Sequence, residues 1–214
     1  MGLVLDNADQ YLAGMAMTVA LTLLSFSVAL VIGTVVAACR VSPVLPLRTA
    51  GTLWVETVRN TPLTVLMVLF FFGFTKVDIQ YSAFTSGVIV LSAYTSTFVA
   101  ETVRSGINAV AKGQAEAARS LGLTFPQVLG RVVLPQAFRT VVGPLGSVFI
   151  ALIKNSSIAS IISVVELTEV ADRLNNETAR PVAVFLGAGM AYLLLTLPSG
   201  FFVGVLERRV AIKR

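Results

Sequence analysis

The side chains able to do chemistry in this chain are few, and they favour holding a ligand over breaking bonds. Lys154-Asn155-Ser156-Ser157 is the densest group, a cation beside an amide and two hydroxyls, and that set suits a carboxylate. Thr95, Ser96 and Thr97 form a second run of hydroxyls, while Glu101 and Arg104, three residues apart, share a helix face as a structural ion pair. Bond-breaking machinery is missing. The chain has no histidine, no G-x-S-x-G elbow to expose a serine and no G-x-x-x-x-G-K-[ST] loop to cradle phosphates. The lone Cys39 excludes an internal disulfide and leaves no histidine- or cysteine-based ligand set for a metal. The chain is expected to be no enzyme and to bind no cofactor of its own.

These groups stand in a composition that demands a membrane. Of 214 residues 56% are hydrophobic and 13% charged, whereas about a quarter of a soluble domain is charged. The net charge of +5 does not indicate nucleic acid, because the basic residues flank apolar segments instead of clustering with stacking aromatics. A charge at the centre of a span costs about 2.5–3.5 kcal/mol on insertion scales, which makes the Lys154 cluster a candidate for a transport path. Lys154 also lies roughly 28 Å along its helix from Pro135, so its ammonium could instead snorkel to the outer interface. Both readings stand. The hydroxyls of Thr95, Ser96 and Thr97 have the simpler alternative of bonding local carbonyls.

A span needs about 20 apolar residues, and five segments qualify, at about 11–39, 55–75, 79–100, 136–165 and 183–206. The fold class is all-α, a single transmembrane domain over 1–214. Ala29, Gly33 and Ala37 in the first span make a small-residue stripe that admits a close neighbour. Before the second, Leu47, Ala50, Leu53, Trp54 and Val58 oppose Arg48, Glu56 and Arg59, the pattern of an interfacial helix with Trp54 at the headgroups. Thr61-Pro62 then bends the chain. A bend is also expected at Pro144, a kink at Pro198, and a packing face at Gly200 and Gly204. Asp6 and Asp9 precede the first apolar run without a basic residue, so no cleaved signal peptide is expected.

Twelve basic residues fall on one side of these spans, among them Arg40, Arg59, Arg104, Arg119, Arg208, Lys213 and Arg214, and three on the other, Lys76, Arg173 and Arg180. The richer side is cytoplasmic, which puts the N-terminus outside and the C-terminus inside. The outer side is acidic, with Asp6, Asp9, Asp78, Glu166, Glu169, Asp172 and Glu177.

Between the third and fourth spans lies a short polar unit at about 112–135. Ala115 to Leu121 are mostly strong helix formers, and Gly122 stands where a left-handed residue would close the helix. Thr124 and Gln127 have capping-box spacing, so a second short helix starts there and stops at Pro135.

Three motifs carry a family resemblance. Glu116-Ala117-Ala118 with Gly122 and Leu134-Pro135-Gln136-Ala137 resembles the EAA loop of permease subunits of ATP-binding-cassette importers. With Arg59-Asn60-Thr61-Pro62-Leu63 and Lys154-Asn155-Ser156-Ser157-Ile158, the chain over roughly 10–210 is similar to the polar-amino-acid branch, and within it to glutamate permeases of actinobacteria. Leu66 departs from the Gln common in that family. The resemblance implies a type I importer of MetI-like architecture in a bacterial cell membrane. Glu116, Ala117, Ala118, Leu121 and Gly122 would form the coupling helix docked on a separate ATPase, which would hold the ATP and Mg. Lys154, Asn155, Ser156, Ser157, Thr95 and Ser96 are the candidates for the substrate path. A second permease, identical or similar, an extracytoplasmic binding protein and membrane lipid would complete the partners. The rival is a self-sufficient secondary transporter or channel, which would need inverted repeats. None is evident in the sequence.

Overall fold

The computed structural model describes residues 2–210 and is a bundle of helices with no strand among them. A short α1 (Gly2–Asp6) leads into α2 (Ala8–Arg40), followed by α3 (Leu45–Asn60), α4 (Leu63–Thr75) and α5 (Ala83–Ala109). Then come α6 (Lys112–Ser120), α7 (Phe125–Val128), α8 (Leu134–Asn155), α9 (Leu167–Thr178) and α10 (Pro181–Val210). Among the described residues four helices are long and apolar enough to cross a membrane: α2, α5, α10 and the continuous helix Phe125–Ile162. The bent pair α3 and α4 adds a fifth span if it is counted as one. Lys213 and Arg214, part of the final basic cluster, lie outside the described residues.

α2 and α5 form the central pair, and the small-residue stripe of α2 is what lets them meet. Ala29, Gly33 and Ala37 are all buried, and a methyl group added at Gly33 would come within 2.7 Å of the Ser96 carbonyl oxygen. α8 approaches α5 equally closely at Gly106, where an added methyl would stand 2.9 Å from the Ala137 carbonyl oxygen. α8 meets α10 through Gly146 and Val203. Here the expectation for Gly200 and Gly204 needs correcting. An added methyl at Gly204 would meet nothing within 4 Å, and one at Gly200 only Ile150 at 3.7 Å. Within the chain α10 meets α8 through the Val203 side chain and not through a close approach at either glycine.

Proline explains one expected bend and one departure. α3 and α4 cross at 99° about Thr61-Pro62, so the segment 55–75 is an elbow and not one straight rod. Pro62 cannot supply the N–H that would continue α3, and it disfavours helical geometry at Thr61, whose ψ is 130°. Pro135, by contrast, stops nothing. A π turn, Leu129–Val133, precedes it, with the Leu134 N–H bonding the Leu129 carbonyl. That wider turn accommodates the proline ring against the preceding carbonyls, and the Gln136 side-chain amide donates to the Val132 carbonyl at 2.9 Å. The helix therefore continues through Pro135 and Pro144 to Asn155, then tightens into a 3₁₀ stretch, Ser156–Ile162.

Candidate functional site: the coupling unit and the polar clusters

The unit between α5 and α8 is built by local hydrogen bonds that its sequence dictates. α6 ends in a Schellman turn: the Gly122 N–H bonds the Arg119 carbonyl at 2.9 Å and the Leu123 N–H bonds the Ala118 carbonyl at 3.3 Å. The turn requires a left-handed residue, and Gly122 has φ +81°. α7 then starts at Thr124, whose N–H and hydroxyl both donate to the Gln127 side-chain oxygen, at 2.9 and 3.1 Å.

This geometry divides the five coupling candidates. Glu116, Ala117 and Gly122 are exposed, and Leu121 at 83% is the most exposed large apolar side chain described. Ala118 was expected on the same outer face and is not. It is 5% exposed and packs inward with Val128 and Val133, so its small size lets α6 seat on the helix that follows.

At the same end of the bundle Glu101 gathers more than its i+3 neighbour. Its Oε2 accepts from Arg104 Nε and Nη2 at 3.1 and 2.7 Å, and its Oε1 accepts from Arg40 Nη1 at 2.6 Å. Arg59 Nη1 stands 3.9 Å from Oε1. One carboxylate thus ties the ends of α2 and α3 to α5. Only the Arg104 contact could be read from spacing, because the other two depend on how the helices cross.

The Lys154 cluster sits where α8 turns into the 3₁₀ stretch. Lys154 is exposed and makes no ion pair among the described residues; Asn155 is half-buried. The hydroxyls of Ser156 and Ser157 donate to the Ile153 and Lys154 carbonyls, each at 2.7 Å. On α5, Thr95, Ser96 and Thr97 are buried; Ser96 donates to the Ala93 carbonyl and accepts from Trp54 Nε1 at 3.2 Å, and Thr97 donates to the Tyr94 carbonyl. Among the described residues no hydrogen bond joins Thr95 or Ser96 to residues 154–157. Trp54 is thus anchored to α5.

Glu166 was counted with the acidic outer surface, and it is fully buried. It caps α9 by accepting from the Thr168 and Glu169 N–H groups at 2.9 and 3.0 Å, and it accepts from the Tyr192 hydroxyl of α10 at 2.6 Å. Burial pushes its carboxyl above the usual range, and these donors recover only part of the shift. The signal in the sequence was a Glu preceding the amphipathic run Leu167, Val170, Ala171 and Leu174, all of them buried.

Residues 29–212 match the family described as binding-protein-dependent transport system inner membrane component. The chain belongs to that family. The permease is 37% identical over 205 residues to the probable glutamine ABC transporter permease protein GlnM of Bacillus subtilis, covering 96% of this chain and 95% of that one. It is 39% identical to the glutamate transport system permease protein GluC of Corynebacterium glutamicum, covering 98% and 97%. Among solved structures, an amino acid ABC transporter crystallised with histidines superposes on the permease with a TM-score of 0.87 at 33% identity, over 96% of each chain. The methionine transporter MetNI, at 19% identity and a TM-score of 0.74, shares the fold. Nearly the whole permease is therefore covered by the MetI-like architecture.

Proposed function

We propose that this permease is the membrane subunit of an ATP-driven uptake system for glutamate or a related polar amino acid. It forms the path with a second permease, sits on separate ATPase subunits that bind ATP and Mg, and receives substrate from an extracytoplasmic binding protein. The single observation that carries the coupling half is the exposed Leu121, with Glu116 and Ala117 beside it, on a helix whose end is fixed by the left-handed Gly122. An apolar side chain presented on a short rigid helix is the kind of anchor that concentrates interface energy. The Lys154–Asn155 pair, an exposed cation beside an amide, is the proposed contact for the α-carboxylate shared by amino acids; Ser156, Ser157, Thr95 and Ser96 flank the path. The excess of basic residues beside the coupling unit supports a cytoplasmic position for it and for the C-terminus, with the N-terminus outside.

The test is reconstitution in vesicles with ATPase and binding protein. Uptake of labelled glutamate should need ATP and all partners, and competition by glutamine, aspartate and arginine then ranks substrates. Uptake by this chain alone, driven by an ion gradient, would overturn the proposal.

A further inference from the structure

Glu166 is the one buried acid among the described residues, and the transport reading leaves it unused. Its Oε1 accepts from the Thr168 and Glu169 N–H groups, which leaves Oε2 to face the Tyr192 hydroxyl at 2.6 Å. The Tyr192 oxygen also lies 3.1 Å from the Thr168 hydroxyl, and the fully buried Ser156 hydroxyl is its third polar neighbour. A row of polar groups therefore runs from the start of α9, through Tyr192 of α10, to the 3₁₀ stretch that follows Lys154 and Asn155.

The protons in that row are fewer than the acceptors. Ser156 donates its own to the Ile153 carbonyl at 2.7 Å, so toward Tyr192 it can only accept. Tyr192 has one proton and two acceptors for it, Glu166 and Ser156. With Glu166 ionised, the carboxylate is the stronger acceptor and takes the bond, as its length fits. With Glu166 neutral, the added proton on Oε2 is donated to the Tyr192 oxygen, and the Tyr192 O–H turns to Ser156. Other ionisable groups stand aside. Of the elements packed against α9, α2 brings Tyr11, whose hydroxyl donates to the Val184 carbonyl at 2.8 Å, and the 3₁₀ stretch brings none. On α9 itself Glu169 pairs with Arg173 at 2.9 Å, and Asp172 and Glu177 lie beyond the first turn. No cation is bonded to Glu166 among the described residues, and burial holds its carboxyl above the ordinary value of about 4.3.

We propose that Glu166 is a positioning residue of the transport path: through Tyr192 it decides whether Ser156 is tied to α10, and so how firmly the Lys154–Ser157 cluster is fixed. This rests on the reading of that cluster as part of the substrate path.

A spin label at Ser157→Cys, in a full chain whose single cysteine is removed by Cys39→Ala, reads the cluster in vesicles without partner or substrate. The label should become less mobile on the acid side of a midpoint above about 4.3. Glu166→Gln keeps an acceptor for the α9 N–H groups while its amide donates to Tyr192 at every pH, so the label should stay in the less mobile state. Tyr192→Phe keeps the ring and removes the relay, so the label should stay in the mobile state. Uptake per assembled, unlabelled complex should change with pH at the same midpoint, and both replacements should abolish that change. Tyr192→Phe retains an ionisable Glu166, so its thermal midpoint should still vary with pH after its uptake has ceased to, which a purely structural role would not produce. A label indifferent to pH in the parent, a parental pH response in either variant, or one locked state shared by both would overturn the proposal. So would variants whose uptake keeps the parental pH profile. A label that switches and locks as expected in a complex without uptake would uphold the link from Glu166 to Ser156 and overturn the transport reading alone.

Discussion

Replacing Gly122 tests whether the end of α6 transmits anything. Gly122 has φ +81° and a methyl group added to it would meet nothing within 4 Å, so substitution costs conformation alone and no collision. An L-residue held in the left-handed region loses about 1–2 kcal/mol, asparagine loses less, and a β-branched residue loses the most. The expected order of damage is therefore Asn, Ala, Val. A cost of about 1–2 kcal/mol converts to a roughly 5- to 30-fold shift in the turn's population, enough to displace Leu121 without unfolding a bundle held by buried helices. Gly122→Val should insert at parental abundance, yet lose co-purifying ATPase, substrate-stimulated hydrolysis or uptake. If Val retains all three at parental levels, or if Asn is as damaging as Val, left-handed geometry at Gly122 is not what coupling uses.

Three further outcomes are expected. Lys154→Met should impair uptake in an assembled complex of normal abundance; transport at the parental rate would mean that the ammonium only snorkels. Glu101→Gln should leave Arg40, 11% exposed, without its charge partner and destabilise the chain by about 2 kcal/mol, below the ~3–5 of a fully buried pair because Glu101 still sees solvent; an unchanged thermal midpoint in detergent would refute this. For Glu166 the folded carboxyl is raised, so its stabilising contribution is complete below the unfolded value of about 4.3 and is lost as pH rises through the folded one. Glu166→Gln keeps an acceptor for the α9 cap but cannot ionise, so its thermal midpoint should vary less with pH across that window than the parent's.

What could be read from the sequence was whatever is decided locally or by solvent. Long uncharged runs mark helices in a membrane, and Gly122, Thr124 and Gln127 announce a turn and a cap within a few residues of themselves. The close approach at Gly33 was legible because only small residues recur there. Contacts between distant helices were not. Arg40 and Arg59 reach Glu101 only through the crossing of α2 and α3 over α5, and Tyr192 meets Glu166 across 26 residues. Gly200 and Gly204 show the converse: spacing can offer a smooth face without naming the surface it meets. Pro135 misled for a different reason: the π turn that precedes it widens the helix around its ring, and spacing does not announce such a turn.

That widened turn has a mechanical side. Phe125–Ile162 is one helix of 38 residues, so Leu121 lies four residues from its start and Lys154 roughly 44 Å along it. Under the proposed coupling, a push on α6 would pass through the Gly122 turn and then along this one helical rod toward the polar cluster. The π turn at Leu129–Val133 is the compliant joint in that rod, carrying one residue more than an α-helical turn needs. Were the surplus residue passed along the helix, everything beyond it would rotate by about 100° and advance about 1.5 Å, converting a thrust at the ATPase end into torsion at Lys154.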